Sequence, residues 1–181
     1  MTTGEELLGD ARKLSDDDID RAFGFCAAKS RADSVDRPAL VACLTTEFSA
    51  ADRALVQRLT RQEITWVEAT GGCGDALLAC CWMLFMIGQL EDSTLIWHAK
   101  MINFDTSCYI DSVFLVAAGL PETVDFARSR GLEDMAQWIE SLRTDKVPAV
   151  IEGWRHQGYF TDRPPLGCDV VDLAQWIRGE A

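Results

Sequence analysis

Cys73 stands where a thiol can act as a nucleophile. It follows Gly71-Gly72 and, through Gly74, leads into an uninterrupted apolar run from Ala76 to Ile87. A cysteine at a helix start has its thiolate favoured by the helix dipole. His98 or His156 would then serve as the base. No catalytic signature surrounds Cys73, and a structural cysteine at a helix start accounts for the same residues. No catalytic residue is therefore assigned, and Cys73 with His98 stands as the enzymatic alternative. The stretch from Gly71 to Asp75 also lacks the lysine and hydroxyl that a phosphate-binding P-loop places there.

A denser polar group lies further on, in Trp97-His98-Ala99-Lys100, Asn103-Phe104-Asp105-Thr106 and Asp111. His98 shares a helix face with Leu95 and Ile102, which predicts a half-buried histidine. Lys100 is placed to pair with Asp105 or Asp111 across a turn, and Asp105 and Thr106 to cap the following helix. The structural expectation is a polar network pinning two helices together. The functional one is a small-molecule pocket near His98 and Asp111, or a partner contact at the turn. A third group, Trp154, Arg155, His156 and Tyr159, has the residue types enriched at interface hot spots. The candidate binding residues are thus Trp97, His98, Lys100, Asp105, Asp111, Trp154, Arg155 and Tyr159.

The elements that must hold these residues read as helices. Ser15 caps a helix whose first turn is Asp16, Asp17 and Asp18, with Ile19, Ala22, Phe23 and Cys26 on one face. A short helix from Glu5 to Leu14 precedes it. Pro38 opens another, with Leu40, Val41 and Leu44 inward. Ser49 caps a third, with Leu55, Val56 and Leu59 inward, continuing helical through Ala69 until Gly71-Gly72 breaks it. The run from Asp75 to Gln89 is apolar all round and predicts a central helix covered on several sides. It is too short to span a bilayer, which takes about 20 apolar residues. Asp92 or Ser93 caps a helix reaching Phe104. The next runs to Ala118, with Ile110, Val113, Phe114 and Ala117 as its stripe. Gly119-Leu120 and Gly131-Leu132 are predicted Schellman stops. Asp134–Ile139 recurs as Asp172–Ile177, 38 residues on, a period found in helical-hairpin repeats.

The fold class expected is all-α, with short antiparallel hairpins stacked in a HEAT-like or ankyrin-like array around the central helix. One domain of 181 residues is expected: N-terminal helices in 1–70, a core in 71–160, and a linker with a last helix in 161–181.

The net charge is -12 and is spread along the chain, a field that repels nucleic acid and anionic membranes and attracts basic partners. The seven cysteines are odd in number and form no CxxC, which fits neither a disulfide framework nor a zinc site. They read as reduced thiols in a cytoplasmic protein. No signal peptide is evident at the N-terminus, and neither a cofactor nor a metal is expected.

The pattern Trp97-x-Ala-Lys100, Phe104-Asp105-Thr106, Asp111 and Ala118-Gly119-x-x-Glu122-Thr123 resembles a set of small, uncharacterised bacterial helical proteins. The likeness covers residues 73 to 160. Such proteins are often similar to immunity proteins of bacterial toxin systems. The resemblance implies an acidic, non-enzymatic binder that neutralises a basic protein partner.

Overall fold

The fold is described by a computed structural model of residues 2–24, 36–156 and 166–179. These residues are helical almost throughout, with eleven α-helices, three short 3-10 turns and one isolated bridge between Thr3 and Asp169. Cys26, Tyr159 and most of the predicted linker lie outside them.

The first helix, α1 (Gly4–Ala11), opens with a reciprocal capping box between Thr3 and Glu6. Next, α2 (Asp16–Phe23) is capped by Ser15 as expected, and buries Ile19 and Phe23 while Ala22 faces solvent. Then α3 (Asp36–Thr46) is enclosed from Arg37 to Thr45. Ser49 caps a 3-10 turn (Ala50–Asp52) that runs directly into α4 (Arg53–Thr70), whose Leu55, Val56 and Leu59 point inward. The apolar run becomes α5 (Asp75–Ile87), buried from Ala76 to Phe85. It packs against α3, α4, the next helix α6 (Ser93–Lys100), and a 3-10 segment (Ser112–Val116). No helix among the described residues is long and apolar enough to cross a membrane.

The structure redraws the stretch from 92 to 118. Asp92 makes no capping bond; buried against α4, it takes the guanidinium of Arg53 at 2.9 and 3.0 Å. The helix expected to reach Phe104 ends at Lys100. Asn103, not Asp105 or Thr106, caps α7 (Phe104–Tyr109), with Thr106 reaching back to complete the box. The stripe from Ile110 to Ala117 is not one helix. Ile110 turns extended, and Asp111 caps the 3-10 segment instead. The ammonium of Lys100 captures the carbonyls of Ser107 and Ile110, which explains the break. A helix through that point would need both oxygens for its own ladder.

Gly131, at φ 72°, closes α8 (Leu120–Ser129) as expected, with the Leu132 N–H on the Ala127 carbonyl at 2.9 Å. Gly119 differs, for it ends the 3-10 segment and its carbonyl starts α8 by accepting from Thr123. The related segments form α9 (Glu133–Glu140) and, after α10 (Val147–His156), α11 (Val170–Ile177). Their inward residues correspond, but their partners do not. Helix α9 pairs with α8, its neighbour in the chain, whereas α11 lies along α3. There α11 and α1 are locked together: the Gly4 N–H donates to the Cys168 carbonyl, and that of Glu5 to the Leu166 carbonyl.

Candidate functional site

A cavity of about 570 Å³ opens where α3, α4, α5, α7 and α11 converge. That volume is within the range of small-molecule sites. Helix α3 contributes Arg37 and Pro38 from its first turn, and α4 contributes Glu63 and Trp66, one helical turn apart. Cys73 and Gly74 form part of the rim and lead into Asp75 and Ala76 at the start of α5. Tyr109 of α7, Ile177 at the end of α11 and the adjacent Arg178 complete the lining.

Arg37 and Glu63 are both buried and form an ion pair through Nε and Oε1. The Arg37 Nη1 also donates to the Phe23 carbonyl at 3.4 Å. The Tyr109 hydroxyl donates to the Asp75 carboxylate, tying α7 to the start of α5. Gly74 caps α5 with no side chain to offer, so the first-turn N–H groups receive no side-chain acceptor.

The cavity contains Cys73 but neither histidine. His98 is 58% exposed, not half-buried, and contacts Glu68 of α4 at 3.3 Å. His156 contacts Glu152 on its own helix. Burial, then the charges of Asp105 and Asp75, push the Cys73 thiol above its ordinary value. Acidic neighbours thus oppose the thiolate that the helix start would favour.

The other predicted residues separate into two groups. Lys100, Asp111, Trp97 and Trp154 are part of the framework. The Lys100 ammonium also lies 5.3 Å from the Trp138 ring centre, and it reaches carbonyls rather than the Asp105 or Asp111 carboxylates. Burial lowers its pKa, and the charge of Asp111 opposes the shift. Trp97 packs edge-on against Trp138, whose indole N–H donates to Ser112 at 3.0 Å. Trp154 donates to Asp111 at 2.9 Å and packs edge-on against Phe114. Arg155 is exposed, 5.8 Å from the Phe85 ring centre.

The second group surrounds the α6–α7 corner. Phe104 is 80% exposed and Met101 47% exposed, beside exposed Asp105. The Asn103 amide donates to the Gly72 carbonyl at 3.1 Å, so this corner is fastened to the loop that carries Cys73. Sequence reasoning singled out Asp105 as a candidate, while Phe104 entered only as the end of a helix and as part of the motif around it. Arg37 and Glu63 were missed altogether, and their neighbours carry no motif that would mark them.

Among the described residues no cluster of three or more His, Cys, Asp and Glu side chains is placed to hold a metal ion. Comparison with family models, with curated proteins and with solved structures yields no match.

Proposed function

We propose that this chain is a non-enzymatic protein-binding domain, an acidic cytoplasmic immunity or inhibitor protein that neutralises a basic partner. The observation that carries the reading is Phe104, whose ring stands in solvent at 80% exposure beside Met101 and Asp105. An aromatic anchor next to an apolar neighbour, within an acidic surround, suits a hot spot for a basic protein.

The charge arrangement supports it. Arginines that could offset the acidic surface are engaged within the fold. Arg12 is held by Asp52 and Glu47, Arg53 by Asp92 and Glu91, and Arg58 by Asp16 and Asp20. The surplus carboxylates, among them Asp17, Asp105, Glu122, Asp125 and Asp134, lie on the surface. In the proposed form the α8–α9 pair is one unit of a HEAT-like stack built around α5.

The test is capture from cell extract at low and high salt, with the Phe104→Asp variant alongside. Basic proteins held by the parent protein, released by salt and not captured by the variant, are expected. Capture of only neutral or acidic proteins, capture unaffected by salt or by the variant, or no capture overturns the reading.

A further inference from the structure

The cavity beside Cys73 is a built polar site, separate from the exposed corner at Phe104. Arg37 and Glu63 hold each other through one nitrogen and one oxygen only. Among the described residues the Arg37 Nη2 and the Glu63 Oε2 make no hydrogen bond. Yet no buried side-chain nitrogen or oxygen there lacks a partner. Each atom therefore keeps a small exposed surface, and both side chains belong to the lining of the cavity. A donor and an acceptor from two buried, charged side chains thus face the same volume.

The remaining polar lining repeats this pairing of signs. The start of α5, where no side chain caps the helix, supplies N–H donors at Gly74, Asp75 and Ala76, and the Asp75 side chain supplies a carboxylate. In formal charge, Arg37 and Arg178 balance Glu63 and Asp75. A simple anion or cation would bring an unbalanced charge into this neutral lining, in a setting where desolvated charge is costly. A ligand carrying both signs brings none. Pro38, Trp66 and Ile177 give an apolar wall against which a side chain can pack.

We infer that this cavity binds a small zwitterion, a free α-amino acid. Its carboxylate lies against Arg37 and the first turn of α5, and its ammonium lies against Glu63 and Asp75. Charge-assisted hydrogen bonds of both kinds fix its orientation. The inference goes beyond the partner-binding function and does not depend on it.

The experiment is titration calorimetry of the whole protein with each of the common L-amino acids. Any ligand found is then compared with its N-acetyl and α-amide derivatives. Saturable binding of at least one amino acid is expected, with each blocked derivative weaker by about tenfold or more. Arg37 and Glu63 are too buried to substitute without risk to folding, so two rim variants are used. Cys73→Trp fills the entrance and should abolish binding; Asp75→Asn should weaken it about tenfold while the helical circular dichroism is kept. Phe104→Asp should bind the amino acid as the parent does, which separates this site from the partner surface. The proposal is overturned if no amino acid saturates the protein at millimolar concentration or if a blocked derivative binds equally well. Undiminished affinity in both rim variants overturns it too.

Discussion

Arg37 and Glu63 meet at 2.6 Å between α3 and α4, with only 6% and 3% of their side chains exposed. Removing one partner leaves the other charged in a nearly dry site. Glu63→Gln and Arg37→Met should each cost about 3–5 kcal/mol in urea denaturation. The double variant Arg37→Met/Glu63→Leu should recover most of that loss, because no charge is then left stranded. A double variant as unstable as the sum of the two would mean that the pair does more than neutralise itself.

Gly4 is the tightest point between the two ends of the fold. A Cβ there would lie 2.7 Å from the Leu166 carbonyl, 2.7 Å from a Leu173 methyl and 2.8 Å from the Cys43 sulfur. The carbonyl belongs to the backbone that α1 hydrogen-bonds, so it cannot turn aside. Gly4→Ala should destabilise the protein by about 1–3 kcal/mol, measured by calorimetric unfolding. Gly9→Ala, where a Cβ would have open space, is the control and should not destabilise it.

Three buried thiols set an alkaline limit. Burial pushes Cys43 up to about 11 and Cys81 up to about 12 from an ordinary 9.0, and moves Cys80 well upward. These thiols keep their protons when folded and release them near their ordinary value when unfolded. Their contribution is complete below pH 9.0 and is lost as pH rises through the folded values. Lys100 tilts the other way, since burial lowers its pKa and favours the folded state as pH approaches 10.5. Urea midpoints should therefore fall above pH 9, and Cys81→Ala should flatten the fall relative to the parent.

Cys73 should react slowly for an exposed thiol. Its pKa is raised by burial and by two acidic neighbours, so its thiolate is scarce at neutral pH. Iodoacetamide should modify it more slowly than a cysteine in an unstructured peptide, read by mass spectrometry of the native protein. Substituting Asp105→Asn should speed the reaction. Faster labelling than the peptide in the parent protein would revive the nucleophile with His98.

The helices were legible where one local signal decided them. Ser15, the apolar run after Asp75 and the glycine at 131 each act within a turn or two of chain. The break at Ile110 was not legible, because Lys100, ten residues earlier, withdraws the carbonyl that the stripe needs. The same limit hides the cavity. Its residues come from five helices and the segments at their ends, between positions 37 and 178, and only the neighbourhood of Cys73 carried a local mark. Arg37 reads as part of a helix start beside Pro38, and Glu63 as one polar residue of a long helix. The matching segments at 134 and 172 mislead for a related reason. An amphipathic face specifies that something apolar must cover it but not which helix does so, and α8 and α3 are both adequate covers.

The seating of α11 along α3 also bears on how the protein is made. Helix α3 emerges from the ribosome early, and the face that α11 covers meets its final neighbour only once α11 has followed. Nearly the whole intervening chain is synthesised while that apolar surface waits uncovered. The nascent protein thus has a long interval in which it is prone to aggregate and attractive to chaperones. Translation pauses within that interval should lower its soluble yield more than pauses after α11 has emerged.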